Sequence, residues 1–105
     1  MSNYTYRPGL GIAYSKERDL KLFEKMARRG YKPIHLNAFG FYKFEQCDPE
    51  EVVYAVDYTN ADPDTDDFED YREIFEASGW KFVYGKRCGK YSCNFFKAVP
   101  DTTPV

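Results

Sequence analysis

Gly30-Tyr31-Lys32 and Gly79-Trp80-Lys81 are two copies of one motif, a glycine followed by an aromatic residue and a lysine. Each copy follows a stretch whose apolar residues recur at helical spacing. Glycine just past the last apolar position ends a helix well, because it adopts a left-handed backbone conformation without a Cβ clash. The aromatic residue and the lysine that come next start a strand in each copy. The two copies of the motif therefore predict a duplicated strand-helix-strand architecture.

The two predicted helices lie immediately before the two copies of this motif. Ser15 is a suitable N-cap for a helix predicted over 16–29, which carries Phe23 and Met26 on its apolar side. A second helix is predicted over 65–78, after a polar loop rich in aspartate. Its inner stripe consists of Phe68, Tyr71, Ile74, Phe75 and Ser78.

Branched and aromatic residues predict the strands between and around the helices. The predicted strands are 10–14, one long or broken strand over 34–45 with a bulge at Gly40, 52–58 paired antiparallel with it, and the final pair 81–85 and 91–98. This order is the split β-α-β pattern, an α+β ferredoxin-like fold (β-α-β-β-α-β) with one antiparallel sheet and two helices on one face. We expect a single domain over 1–99 and a flexible tail over 100–105.

Aromatic residues make up 19% of the 105 residues, so rings must build much of the core. In the segments 39–44 and 52–58, apolar residues fall on both parities of the predicted strands, which indicates that something covers the second sheet face. No stretch approaches the ~18 apolar residues of a membrane span, and we expect a soluble, cytoplasmic protein.

Charge is uneven although the net charge is only −2. Residues 57–76 hold nine acids against one base, whereas residues 1–47 hold nine bases against four acids. The two segments are either solvated helix surfaces or surfaces that attract a charged partner.

Metal and disulfide signatures are weak. Cys47, Cys88, Cys93 and His35 match no standard zinc spacing, although Cys88 and Cys93 could close a hairpin disulfide in an oxidising compartment. The acids between 62 and 73 follow a calcium-loop template, but Asp67 replaces its central glycine. We predict no metal, no cofactor and no catalytic residue.

Two further functional hypotheses depend on particular residues. The segment 38–44 is similar to the aromatic strand of RNA-recognition motifs, in which Phe39, Phe41 and Phe44 would stack on bases. The chain is slightly acidic, however, and lacks the clustered positive charge that binds RNA phosphates. His35, Asn37 and Trp80 are residue types that small ferredoxin-like monooxygenases use, but no acid-base pair accompanies them.

Several segments resemble a bacterial family catalogued only as a domain of unknown function, often encoded beside PadR-type repressors and sometimes fused to membrane helices. The matching segments are Leu22 to Gly30, Tyr42 to Phe44, Val53 to Tyr58, Tyr71 to Trp80 and Phe95 to Lys97. The chain departs from the family pattern near Pro8 and over 86–93. The resemblance implies a regulatory or sensing role and brings no known catalytic residue.

Our leading hypothesis is a non-enzymatic regulatory or protein-interaction module that binds a partner, or a second copy in a homodimer, through an aromatic sheet face. The binding residues we predict are Tyr42, Phe44, Tyr54 and Tyr58, with Trp80 as a structural anchor. The first alternative is a sensor of an apolar small molecule or a monooxygenase-type enzyme, and the second is an RNA binder.

Overall fold

A computed structural model describes residues 3–9, 12–37, 39–62, 64–88 and 90–104. Its elements are β1 (Tyr4–Pro8), α1 (Ile12–Arg28), β2 (Tyr31–Leu36), β3 (Phe41–Gln46), β4 (Val53–Thr59), α2 (Asp66–Ala77), β5 (Lys81–Cys88) and β6 (Tyr91–Ala98). Every strand pairing in this part of the chain is antiparallel, and the α+β class is confirmed.

The strands form two separate three-stranded sheets. Sheet 1 has the order β1-β3-β2, and sheet 2 has the order β4-β6-β5. Each sheet with its helix is a strand, a helix and a hairpin, so the chain contains two copies of one β-α-β-β repeat. Gly30 and Gly79 end the two helices with φ of 88° and 91°, as expected for left-handed C-caps.

The predicted single sheet and ferredoxin-like order are not matched. Helix α1 already begins at Ile12, so the strand predicted over 10–14 is wrong at 12–14, and its first two residues lie outside the described part. The first strand lies earlier, at Tyr4–Pro8. The segment 34–45 is a hairpin whose turn contains Gly40, with φ of 85°. Because β1 and β2 occupy both edges of β3, β4 cannot pair with it and pairs with β6 instead.

The two repeats share a bulge at the same place. The register of β2 against β3 shifts between Pro33 and His35, and that of β5 against β6 shifts between Phe82 and Tyr84. Pro33 lies opposite Phe44 and Phe82 lies opposite Phe96. These registers fix which positions of β3 and β6 are equivalent.

Helix α1 lies between the two sheets. The Phe23 ring makes edge contacts with Tyr42 and Phe44 of sheet 1 and with Tyr54 and Phe95 of sheet 2, at centroid distances of 4.8–5.9 Å. Edge contacts suit the ring quadrupole and add to the area that the rings bury. One helix therefore joins both repeats in one core.

Helix α2 covers the other face of sheet 2. Its Phe75 ring stacks on Phe96 at 4.2 Å, and Trp80 and Ala98 belong to the same cluster. Along β4, Val53 and Ala55 pack in this cluster while Tyr54 packs against α1. Both faces of sheet 2 are covered, which explains the apolar residues on both parities of that strand.

Helix α1 has a sheet on each side, whereas α2, among the described elements, packs against sheet 2 only. The reason is that α2 has polar residues at positions where α1 has apolar ones. Counting back from the two glycine caps, Arg72 and Glu76 occupy the positions of Phe23 and Ala27. Phe23 and Ala27 are buried, whereas Arg72 and Glu76 form a half-exposed ion pair at the edge of α2, where Arg72 also lies over the Phe82 ring of β5. A polar outer surface closes a stacked array in the same way as a terminal repeat.

Side chains satisfy the sheet edges where the repeats meet. The backbone amide of Leu36 donates to the Tyr84 hydroxyl at 3.2 Å, and the Lys86 ammonium donates to the Leu36 carbonyl at 3.4 Å. On the other edge of sheet 2, the Tyr54 amide donates to a Glu24 carboxylate oxygen at 3.0 Å. Edge groups paired in this way are not available to another strand.

Candidate ligand-binding cavity

The structure places the predicted binding residues in three environments. Tyr42, Phe44 and Tyr54 are buried in the core around α1, and Trp80 is buried in the cluster under α2. Tyr58 alone of the five has a largely exposed side chain, at 48%. The five residues therefore do not form one exposed face in the isolated chain.

An aromatic sheet face does exist, on the opposite parity of β3. We call it the outer face: Tyr4, Tyr6 and Phe41, exposed by 42%, 51% and 41%, together with Lys43. The Lys43 ammonium lies 4.2 Å from the centroid of the Tyr4 ring. A shift of one residue along a strand moves a side chain to the other face, and α1 covers the face that carries Tyr42 and Phe44.

The residues of the enzyme and RNA hypotheses are not brought together. His35 is exposed on β2, Asn37 accepts the amide hydrogens of Phe39 and Phe41 in the hairpin turn, and Trp80 belongs to the second repeat. Of the three rings proposed to stack on bases, Phe44 is buried under α1.

A cavity of about 480 Å³ lies between the first half of α2 and sheet 2. We call it the α2 cavity. Phe68 and Phe82 provide its apolar wall, Ser92 and Asn94 of the central strand β6 provide its polar floor, and Gly85 lies beside Asn94. Ser92 and Asn94 are each only 1% exposed.

The first repeat fills the equivalent space with a ring. Tyr42 lies two residues before Phe44, and Asn94 lies two residues before Phe96, so the shared bulge makes them equivalent. The Tyr42 hydroxyl donates to an Asp19 carboxylate oxygen at 2.7 Å across the gap to α1. In the second repeat, the shorter Asn94 replaces Tyr42 and Phe68 replaces Asp19, so no Tyr-Asp pair spans this space, although the Asn94 side chain lies close enough to Tyr71 of α2 to interact with its hydroxyl. The α2 cavity is the volume left by this exchange.

The Asn94 side chain is only half satisfied. Its Nδ2 donates to the Ser92 hydroxyl at 3.0 Å and to the Ser92 carbonyl at 3.3 Å. Its Oδ1 is buried and has no hydrogen-bond partner in the described part of the chain. A Cβ atom on Gly85 would lie 2.5 Å from that Oδ1, so only glycine leaves room for it. A buried acceptor without a donor costs about 1–3 kcal/mol.

A second polar link fixes α2 beside the cavity. The Tyr71 hydroxyl donates to an Asp57 carboxylate oxygen of β4 at 2.9 Å. Burial and this hydrogen bond raise the pKa of Tyr71 above its ordinary value of 10.0, so the hydroxyl keeps its proton at alkaline pH values where an exposed tyrosine ionises. The link holds the helix at a fixed position over the floor of the cavity.

Charged residues line the opening of the cavity. Arg72 lies over the Phe82 ring, with its guanidinium carbon 4.7 Å from the ring centroid, and pairs with Glu76 at 3.4 Å. Arg87 pairs with Asp62. Asp64, Asp66 and Glu69 also line the cavity. In the ranges that the structure covers, these three carboxylates form no ion pair.

Comparison with known families matches residues 15–105 of the chain to a family described as protein of unknown function (DUF2812). The chain belongs to the DUF2812 family. The match covers both repeats except for β1 and the first residues of α1. No curated protein and no solved structure matches this DUF2812 chain.

Other chemistry in the DUF2812 chain is limited. Across the described segments, no three His, Cys, Asp or Glu side chains are grouped to hold a metal ion, and no helix is long and apolar enough to cross a membrane. Burial raises the pKa of the Cys47 thiol, which disfavours the reactive thiolate. The Cys88 side chain, part of the predicted disulfide, lies outside the described part.

Sequence reasoning missed Asn94, Ser92 and Gly85. Their signal was present in the repeat: Asn94 is a polar residue in an aromatic strand at a position where the first copy has Tyr42. The equivalence is visible only when the two hairpins are aligned at their bulges. The second hairpin is longer than the first, so a constant spacing between the repeats does not reveal it.

Proposed function

We propose that this protein is a non-catalytic binding module that holds a small polar molecule in the α2 cavity. The observation that carries the proposal is the unpartnered Asn94 Oδ1 on the buried floor of a cavity that a Tyr-Asp pair fills in the other repeat. A concave site with apolar walls and a few oriented polar groups is the usual form of a ligand site. A sensing role agrees with the regulatory neighbourhood, beside PadR-type repressors, that the family resemblance implies.

Fragment screening by amide chemical shifts tests this proposal. We expect hits that move the amides of β6 and the first half of α2 in the wild type. Asn94→Tyr, which places in the second repeat the ring that fills the first, should abolish those shifts while keeping the fold. Should Asn94→Tyr not fold, Asn94→Leu serves instead, since it removes the acceptor at similar size and should likewise abolish the shifts. Hits that move only other surfaces would contradict the proposal.

The interaction role through an aromatic sheet face stays a second proposal, with a second copy of the chain as its partner. The outer face would carry it in place of the buried Tyr42, Phe44 and Tyr54. Lys43 and Glu45 alternate on this face along β3, so two faces packed with antiparallel β3 strands can place each lysine opposite a glutamate. The expected cytoplasmic location is likewise a prediction.

Light scattering tests the second proposal. A homodimer at micromolar concentration that Tyr6→Ala dissociates, and that the control Tyr91→Ala leaves intact, would support pairing through the outer face. A monomer in both low and high salt would contradict it. Either result leaves the α2 cavity proposal to its own test, because the cavity belongs to the other repeat.

A further inference from the structure

We infer that the α2 cavity selects a small organic cation that bears N–H donors, such as a primary ammonium group on an apolar body. This inference rests on the proposed function and adds the chemical class of the ligand. It depends on three independent features of the cavity: its floor, its wall and the charge balance at its opening.

The floor requires a donor. Asn94 Oδ1 accepts hydrogen bonds only, because the Nδ2 of the same amide is engaged with Ser92. Ser92 is engaged as well, since its hydroxyl donates to the Thr59 carbonyl at 3.3 Å. The free function on the floor is therefore an acceptor, and a ligand gains most by presenting N–H or O–H to it.

The wall suits a cation with an apolar body. Phe68 and Phe82 are 6.0 Å apart in an edge-on arrangement and expose ring surface to the cavity. The Phe82 ring already accepts the Arg72 guanidinium on one side, which shows that the wall accommodates positive charge. Aromatic rings attract cations through their quadrupole, most strongly where water is excluded.

The charge at the opening decides the sign of the ligand. The two arginines of the lining are neutralised by Glu76 and Asp62, and the Lys86 ammonium is turned to the Leu36 carbonyl at the junction of the repeats. Among the described residues of the lining, Asp64, Asp66 and Glu69 form no ion pair, and they outnumber Lys86, whose carbonyl partner does not neutralise its charge, so the opening carries an excess of negative charge. An anion would meet these carboxylates, whereas a cation reduces their mutual repulsion.

A matched set of three probes separates the class of ligand from the existence of the site. The probes are 2-phenylethylammonium, 3-phenylpropanoate and 3-phenylpropanamide, which have similar bodies and differ in charge. We expect the ammonium to move the amides of β6 and α2, with an affinity at least about ten-fold higher than that of the other two. Its binding should weaken as salt is raised.

Variants of the opening provide the control. Asp66→Asn and Glu69→Gln should each weaken ammonium binding by about three-fold, as expected for exposed charge pairs. Glu73→Gln removes an exposed carboxylate of the same helix that does not line the cavity, and it should leave the affinity nearly unchanged. Equal effects of all three variants would show a diffuse attraction to α2 and overturn the inference.

The outcomes distinguish the two proposals. Binding of the amide or the propanoate at Asn94 with no preference for the ammonium overturns the cation inference and leaves the α2 cavity as a binding site. Fragment hits in the cavity without binding of the ammonium lead to the same conclusion. The absence of both fragment hits and probe binding in the cavity overturns the proposed function together with the inference.

Discussion

At the scale of single residues, two buried tyrosines differ in how their hydroxyl groups are satisfied. Tyr42 donates to Asp19, whereas the Tyr54 hydroxyl is buried without a hydrogen-bond partner among the described residues. Both rings contact Phe23, so the apolar part of their environment is similar. The hydroxyl groups therefore allow a matched comparison of one hydrogen bond against none.

We predict different effects on stability for the Tyr42→Phe and Tyr54→Phe variants. Tyr42→Phe should lower the free energy of unfolding by about 2 kcal/mol, because it removes a buried hydrogen bond to the charged Asp19 carboxylate. Tyr54→Phe should leave it within about 0.5 kcal/mol or raise it, because it removes an unpaired polar atom. Urea denaturation measures both. Equal losses in the two variants would mean that the Tyr54 hydroxyl has a partner.

At the scale of the elements, the helix ends differ although their glycines have the same conformation. Both Gly30 and Gly79 have φ near 90°. An added Cβ at Gly30 would lie 2.8 Å from the Cys47 carbonyl oxygen, whereas at Gly79 the nearest atom is a Thr102 methyl at 3.5 Å. The end of α1 is thus closely packed, and the end of α2 is open.

Alanine substitutions at the two glycine caps should distinguish two contributions to the loss of stability: the left-handed backbone conformation and the steric contact of the added Cβ atom. Gly79→Ala should cost about 1 kcal/mol from the left-handed conformation alone. Gly30→Ala should cost about 3 kcal/mol, since the contact with the Cys47 carbonyl adds strain to the same conformational term. Thermal denaturation of both variants checks the order. A larger loss for Gly79→Ala would contradict it.

At the scale of the whole molecule, Phe23 makes the two repeats one cooperative unit. We predict that Phe23→Ala lowers stability by about 3–5 kcal/mol, as for other large core truncations. Trp80 is the only tryptophan, and it lies in the second repeat, whereas Phe23 lies in the first. The midpoint of the Trp80 fluorescence transition should fall as far as that of the helical circular dichroism signal.

Independent repeats would give a different result. In that case Phe23→Ala would lower the stability of the first repeat alone, and the Trp80 transition would remain at its wild-type midpoint. Phe75→Ala, which removes a ring from the second cluster, is the reciprocal control. It should also give one transition if the shared core couples the repeats.

Alkaline pH should unfold the whole molecule steeply. Burial raises the pKa values of Tyr42, Tyr54 and Tyr71 above the ordinary 10.0, with added effects from nearby carboxylates. Above pH 10 the unfolded chain loses these protons while the folded chain keeps them, so stability is complete below pH 10 and declines as pH rises. Three such groups remove about 4 kcal/mol per pH unit.

Absorbance of tyrosinate checks this prediction. Part of the signal from the ten tyrosines should appear gradually near pH 10, and the buried part should appear only together with the loss of helical circular dichroism. Gradual ionisation of every tyrosine before unfolding would contradict the raised pKa values.

The local features of this protein follow from its amino-acid sequence alone. Glycine caps, apolar spacing and β-branched runs depend on neighbours along the chain, and they located α1, α2 and the later strands and showed the duplication. The helix 65–78 was placed within one residue of Asp66–Ala77 at both ends. The family resemblance also follows from the sequence, and the match over residues 15–105 supports it at the level of a domain of unknown function.

Strand pairing and side-chain exposure, by contrast, depend on how the elements pack in three dimensions. Strand pairing depends on which edges are free, so β4 joins β6 because β3 has no free edge. Burial of Tyr42 and Phe44 depends on which face α1 covers, and a shift of one residue reverses it. The α2 cavity arises from the difference between Tyr42 and Asn94 at equivalent positions, which are distant in sequence and become comparable only through the shared bulge of two folded hairpins.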